Sequence, residues 1–413
     1  MVPNGWEKAL LNNLLCTSIK NGYSPNAVEQ NTGYVVLGLG ALTDHTIDTT
    51  NIKNVEATEQ VLKTQLCHGD FLISRSNTPD KVGRSVMFRG EITNCSYPDL
   101  MMKFRADESK VDPNYLEIYL QSPKARQYFK NCAAGSSSSM VKINKSVVEK
   151  TPILKPSLQK QRKIAQILST WDKAIATTEK LIETSKQQKK ALMQQLLTGK
   201  KRLVNPETGK AFEGEWEVTS VDSTSKCFSG GTPSRTKDEY YGGSIPWITS
   251  GKLNDRFVET VNEYITESGV ANSSAKYVKQ GALLVAMYGA TAGKVAINRL
   301  QSATINQAVL ALEVKNSFSN IFLFYLLEKE MEKALSLVQG GQPNLNASII
   351  KSIKIKLPNY KEQQKIASVL TAADKEIEVL EAKLAHFKQE KKALMQQLLT
   401  GKRRVKVDNM EVA

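Results

Sequence analysis

The stretch GATAGK at 289–294 sets two glycines before a lysine, the residue types with which a loop's backbone N–H groups and an ammonium cradle phosphates. A phosphate loop of that kind needs four residues between the glycines and a Ser or Thr after the lysine, whose hydroxyl holds Mg²⁺. Here three residues intervene and Val295 follows, so nucleotide binding is not expected. GLG at 38–40 does not continue into the GxGxxG of a dinucleotide site, and neither HExxH nor GxSxG occurs. No Asn-Pro-Pro-aromatic or Asp-Pro-Pro-aromatic stretch is present to hold the exocyclic amine of a base during methylation. The histidines (His45, His68, His386) are scattered. The five cysteines (Cys16, Cys67, Cys95, Cys132, Cys227) lack CxxC spacing and are odd in number, which fits reduced thiols better than a disulfide frame or a zinc site. Cys67 and His68 are neighbours but lack further ligands at metal spacing. The residues read as those of a protein that binds rather than reacts, with no catalytic residue and no metal site.

Charge points to what is bound. The net charge of +15 and a pI near 9.4 favour a polyanionic partner, most often nucleic acid. Twelve of those fifteen charges lie in two short segments, 156–203 and 358–405. No apolar run reaches the length of about 18 residues that a membrane span needs. The N-terminal MVPNGWEKALLNNLL lacks the charged start and long apolar run of a signal peptide. A cytoplasmic protein with no membrane partner is expected.

The two basic segments are copies of each other. Residues 156–203 align with 358–405 without a gap, match at 25 of 48 positions, and share KKALMQQLLTGK at 189–200 and 391–402. Each begins with a proline, suited to the first turn of a helix, and ends at a glycine (Gly199, Gly401) placed to close one. Between these runs a 4-3 apolar pattern. It reads Ile164, Leu168, Trp171, Ile175, Thr178, Ile182, Ser185, Lys189, Leu192, Leu196 in the first copy. In the second it reads Ile366, Leu370, Ala373, Ile377, Leu380, Leu384, Phe387, Lys391, Leu394, Leu398. This is a coiled-coil seam in rods of roughly 60 Å, at ~1.5 Å per residue. Two such rods in one chain are expected to pair with each other, antiparallel, because a whole domain intervenes.

Each rod follows a globular segment of its own. Both segments open with Trp-Glu (Trp6-Glu7, Trp216-Glu217), continue through a Cys and a glycine-containing polar turn (CTSIKNGYSPN, CFSGGTPSR), and carry a strand–glycine loop–strand unit at 69–88 and 281–297. Asn144 and Asn346 fall at matching places before the rods. Short alternating strands, polar turns and helical stretches at 113–129 and 320–338 indicate α+β domains. The expected organisation is an internal duplication with pseudo-two-fold character. It comprises a first domain at 1–155, a first rod at 156–203, a second domain at 204–357, a second rod at 358–405 and a tail at 406–413.

The stretches GGTPSRTKDEYYGGSIPWITSGKL (230–253), GALLVAMYGATAGKVAI with ATINQAVLAL (281–297, 303–312), and QPNLNASIIKSIKIKLPNYKEQQKIA (342–367) carry a family likeness, as do GDFLISRSNTPDKVGR and the doubled KKALMQQLLTGK. Over essentially its whole length the chain resembles the specificity (S) subunit of Type I restriction–modification enzymes. That resemblance implies two target-recognition domains, each reading half of a split site in double-stranded DNA, separated by two long helices that form an antiparallel coiled coil. It implies docking of two adenine methyltransferase subunits on those helices, and motor-nuclease subunits in the full complex. S-adenosylmethionine, ATP and Mg²⁺ would belong to those partners, with no cofactor in this chain. Two readers on a spacer would touch DNA about one helical turn apart, ~34 Å, and the rods would set the number of unread bases.

Base reading calls for loop side chains with donors and acceptors. The candidates in the first domain are Arg75, Ser76, Asn77, Lys81 and Arg84, with Tyr23, Ser24 and Asn26. In the second they are Thr232, Ser234, Arg235, Lys237, Tyr288, Thr291 and Lys294, with Gln342 and Asn344. Trp171 and Trp247 are read as packing residues. On the rods Leu192, Met193, Leu196 and their mates Leu394, Met395, Leu398 are candidates for packing or partner docking. The rival readings are a coiled-coil adaptor without DNA sequence specificity, and an enzyme whose site carries no recognisable motif.

Overall fold

The structure, a computed structural model, describes residues 2–137, 140–336 and 345–407. Its two longest elements are helices at Leu158–Leu196 and Tyr360–Leu399. Pro156 and Pro358 stand two residues ahead of the first helical residue, not inside the first turn as the sequence suggests. Their carbonyls accept the side-chain amides of Gln161 and Gln363, at 2.8 Å in each copy. At the far ends Gly199 and Gly401 adopt φ of +71° and +69°. The N–H groups of Lys201 and Arg403 then reach back six residues to the carbonyls of Gln195 and Gln397, both at 3.2 Å. A side chain at the turning position would strain that closure, which is why both copies carry glycine there.

Every position of the 4-3 seam is buried or half-buried. The lysines on the seam are neutralised there: Lys189 pairs with Asp374 at 2.5 Å, and Lys391 pairs with Asp172. Asp172 and Asp374 are themselves equivalent positions of the two copies. Lys186 bonds Glu381 while Lys189 bonds Asp374, so one helix rises in number as the other falls and the pairing is antiparallel. The Trp171 ring packs edge-on against Phe387 at 5.6 Å, as a packing residue should.

The chain forms two compact units, one of residues 1–178 with 383–413 and one of residues 179–382. Each unit contains a globular segment, the start of the long helix that follows it, and the end of the other long helix. In the first unit Ile164, Ala165 and Leu168 share a core with Met395, Leu398 and Leu399. In the second, Ile366, Ala367 and Leu370 share one with Leu196 and Leu197. A Cβ added to Gly401 would lie 3.1 Å from the Trp6 ring, and one added to Gly199 3.3 Å from the Trp216 ring. The repeated KKALMQQLLTGK thus fits two matching sockets inside the chain itself.

In the first unit the strand Asp70–Ser74, wholly buried, sits in a four-stranded antiparallel sheet between Met101–Arg105 and Ser85–Met87, with Lys20–Asn21 at one edge. A three-stranded sheet of Ile52–Asn54, Val35–Leu37 and Cys95–Ser96 stands beside it in sequence. In the second unit Leu283–Ala286, also wholly buried, lies between Val309–Val314 and Val295–Asn298 of a five-stranded sheet. Glu263–Ile265, Tyr241–Ile248, Ala303–Ile305 and Lys276–Val278 form a four-stranded sheet. The two Trp-Glu segments lead into equivalent ribbons, Glu7–Leu10 with Pro152–Lys155 and Glu217–Ser220 with Lys354–Leu357. Among the described residues no helix is long and apolar enough to cross a membrane.

Candidate nucleic-acid interface

The loops that carry the candidate residues are held by the same backbone hydrogen bonds in both domains. Ser74 N–H donates to the Arg84 carbonyl at 2.8 Å, as Ala286 does to Lys294 at 2.9 Å. Arg75 donates to Leu100 at 2.8 Å, as Met287 does to Ala308 at 2.9 Å. Ile143 donates to Arg75 at 2.9 Å, as Leu345 does to Met287 at 2.7 Å. Tyr23 donates to Tyr97 at 3.0 Å, as Gly231 does to Ile305 at 3.2 Å. Just before these last residues, Gly22 and Gly230 lie so close to the same carbonyls that an added Cβ would fall 2.1 Å from the Tyr97 oxygen and 1.8 Å from that of Ile305. Side chains join the match: the Ser24 hydroxyl donates to the Asp99 carboxylate, and the Thr232 hydroxyl to the Gln307 side-chain oxygen.

The position equivalent to Arg75 is Met287, as the alignment of 69–88 with 281–297 implies. The frame corrects one pairing suggested by sequence: Cys16 and Cys227 are not counterparts, since Lys20 faces Lys103 where Phe228 faces Ala311. Arg84 does match Lys294.

In the first domain the structure brings Tyr23, Ser24 and Arg75 together around the segment 97–100, through Tyr97, Asp99 and Leu100. Tyr23, Ser24, Asn26 and Lys81 are exposed. Arg75 is half-buried and donates to the Asp99 carbonyl at 3.4 Å. Arg84 is tied to Asp44 at 2.8 Å. Ser76 is fully buried and Asn77 nearly so, because both lie on a short strand paired with Met140–Lys142. In this conformation the Ser76 hydroxyl, which has no partner, offers nothing to a base.

In the second domain Thr232, Ser234, Arg235, Lys237, Tyr288 and Lys294 are exposed, while Thr291 is buried. The Asn306–Ala308 turn ties the 230–237 and 287–294 loops together: its Asn306 carbonyl accepts from Gly230 at 3.3 Å, and its Ala308 carbonyl accepts from Met287. Gln342 and Asn344 lie outside the described residues. Arg235 is the most firmly placed of the set. Both terminal nitrogens meet Glu263, at 2.8 and 3.2 Å, and the guanidinium lies 4.5 Å from the Tyr241 ring and 5.2 Å from that of Trp247. Hydrogen bonding to Glu263 raises the Arg235 pKa above its ordinary value. Trp247 is buried and donates its indole N–H to the Gly231 carbonyl at 3.2 Å, so it packs the loop from beneath.

The docking candidates are largely spent inside the chain. Leu196 and Leu398 are fully buried and Met395 nearly so, while Leu192, Met193 and Leu394 are half-buried against the same cores. They are packing residues of the sockets rather than a free docking face. The exposed part of each repeat is instead Lys190, Ala191, Gln194 and Gln195, matched by Lys392, Ala393, Gln396 and Gln397.

Comparison with known proteins decides the family. The model of the Type I restriction modification DNA specificity domain matches twice, over residues 3–187 and 213–389. The chain belongs to this family. It is 29% identical to the MjaX specificity subunit of a type I restriction enzyme from Methanocaldococcus jannaschii, over 98% of this chain and 95% of that one. It is 24% identical to the HindI specificity subunit of Haemophilus influenzae, over 84% and 89%. Among solved structures, the S subunit of a Type I system from M. genitalium shares the fold at a TM-score of 0.58 and 14% identity, covering 99% of both chains. A chain from a type I restriction–modification complex does so at 0.61 and 15%, covering 98% and 100%. Members of this specificity family recognise DNA and carry no catalysis of their own. Sequence reasoning missed Asp99, Gln307, Tyr241 and Glu263 among the residues that shape the candidate interface. Aligning the halves on Gly22 and Gly230 would have exposed the first two.

Proposed function

We propose that this chain reads a bipartite, asymmetric site in double-stranded DNA. It thereby directs DNA adenine methylation and ATP-dependent restriction by partner subunits in the cytoplasm. One observation carries the reading: a single backbone frame occurs twice and presents different side chains each time. A frame repeated with unlike readers fits two unlike half-sites. The two identical exposed faces at the rod ends fit two copies of one partner, the methyltransferase subunit. Motor-nuclease subunits would complete the assembly, and S-adenosylmethionine, ATP and Mg²⁺ would sit on those partners. Base edges are read by side-chain donors and acceptors, while lysines such as Lys81 and Lys294 serve the phosphates.

The test is a map of methylated adenines across the native genome with the gene intact and deleted. Loss of one split, asymmetric motif on deletion is the expected result. A map in which no motif depends on the gene would leave the coiled-coil adaptor as the better reading.

A further inference from the structure

The four-stranded sheet of the second domain pairs Trp247 with Glu263 on one side and with Thr304 on the other. Cross-strand partners project from the same face of a sheet. Arg235 lies over that row, stacked on Trp247 and Tyr241 and gripped by Glu263 through both terminal nitrogens. Tyr241 is itself fixed, donating its hydroxyl to the Pro233 carbonyl at 2.6 Å. The Arg235 side chain nevertheless remains 57% exposed. A carboxylate that takes one hydrogen from each terminal nitrogen leaves three guanidinium N–H groups, including the parallel pair along the Nε edge.

Among its described residues the first domain has nothing comparable on the same frame. Val36 pairs with Lys53 and with Ser96 where Trp247 pairs with Glu263 and Thr304. Three residues after Ser24 stands Ala27, where three residues after Thr232 stands Arg235. The trio of cation, aromatic shelf and carboxylate in one domain is replaced by alanine, valine and lysine in the other.

We infer that Arg235 reads a guanine in the half-site of the second domain, through O6 and N7, with Glu263 as the positioning residue that holds the guanidinium edge-on. This rests on the DNA reading given above. Two parallel N–H donors match the two acceptors of guanine in the major groove. Freezing an arginine beforehand removes much of the side-chain entropy that such a contact costs. Glu263 also adds a negative charge beside the loop, which disfavours simple phosphate attraction as the purpose of the pair.

The experiment uses the full chain with its methyltransferase partner in a host free of adenine methylation, read by genome-wide methylation mapping. Wild type, Arg235→Gln, Arg235→Ala and Glu263→Gln are compared. Wild type is expected to give a split motif with a guanine in one half. Arg235→Ala should relax that position alone, with discrimination falling roughly ten- to hundred-fold, while the other half stays intact. Arg235→Gln should shift the position toward adenine, which glutamine can bond at N6 and N7. Glu263→Gln should relax the same position by a smaller factor. An unchanged motif in the variants overturns the assignment, as does uniform weakening without relaxation, which marks a phosphate contact. Absence of any motif with wild type overturns the DNA reading itself. Protein level and the untouched half of the motif show whether each variant folds.

Discussion

The Ser24–Asp99 and Thr232–Gln307 contacts sit on one frame, yet the surfaces around them share almost no chemistry. Beside the first lie Ala27 and Arg75, which donates to the Asp99 carbonyl. Beside the second lies Arg235, clamped between two rings and a carboxylate. Backbone hydrogen bonds are indifferent to side-chain type, so the frame survives sequence change that erases the visible likeness. It is strict only where side chains would intrude, as at Gly22 and Gly230. The rods show the opposite balance. Their ends are identical because each must fill a closed socket of Trp, Leu and Ile side chains, where packing reads every atom.

The largest asymmetry expected between the halves is in those sockets. Arg202 grips the fully buried Glu362 at 2.7 and 2.8 Å, whereas the matching positions Arg404 and Lys160 bear like charges and form no such pair. Arg202→Ala leaves a buried carboxylate uncompensated and should cost about 3–5 kcal/mol. Arg404→Ala should leave urea denaturation unchanged. Equal losses would mean that the sockets are energetically alike despite the missing pair.

Next come the frame glycines. A methyl at Gly22 or Gly230 would collide with backbone carbonyls that cannot move without breaking the sheet. Gly22→Ala and Gly230→Ala should each cost roughly 3 kcal/mol, at the upper end of what overpacking exacts. Gly251→Ala is the control, since its methyl would meet nothing within 4 Å. If either substitution behaves like the control in denaturation, the two frames are not held alike.

The rods were legible in the sequence because a 4-3 pattern depends on residues a few positions apart. Their partners were not. Lys189 and Lys391 look like flaws in the seam until Asp374 and Asp172 arrive from the other helix. The same limit hid Glu263, which is 28 positions from Arg235 and reaches it across a sheet. Ser76 failed for another reason: its polar side chain suggests a loop surface, but the strand at Met140–Lys142 covers it. Arg235 was legible as a donor in a glycine-flanked loop, though the shelf that fixes it was not.

Asp374 and Asp172 are matching rod positions with unequal surroundings. Burial pulls the Asp374 carboxyl upward, but hydrogen bonds from Lys189, Tyr325 and Arg256 outweigh it, and the net shift is below the ordinary 3.8. Its contribution to stability is therefore complete above that value and is lost as pH falls through the lower, folded-state value. Asp374→Asn should cost about 2 kcal/mol at pH 7, and the gap from wild type should close as pH drops below about 4. A gap constant down to pH 2 would mean that the carboxylate charge contributes nothing there. Neighbouring Glu328 works the other way, since burial raises its value and its charging opposes folding as pH climbs.

The smallest expected effect is one that should be equal in the two halves. Asn144 and Asn346 cap the helices Lys145–Glu149 and Ala347–Ser352, accepting from Val147 N–H at 3.0 Å and Ile349 N–H at 2.9 Å. Each cap lies one residue beyond the N–H that bonds the recognition frame, Ile143 to Arg75 and Leu345 to Met287. Replacing either by alanine should cost about 1 kcal/mol, and the double substitution about twice that, because the caps belong to different units and share no partner. Denaturation of both single variants and the double variant measures this directly. Unequal costs would place a difference inside the shared frame itself, beneath the side chains that now distinguish the two domains.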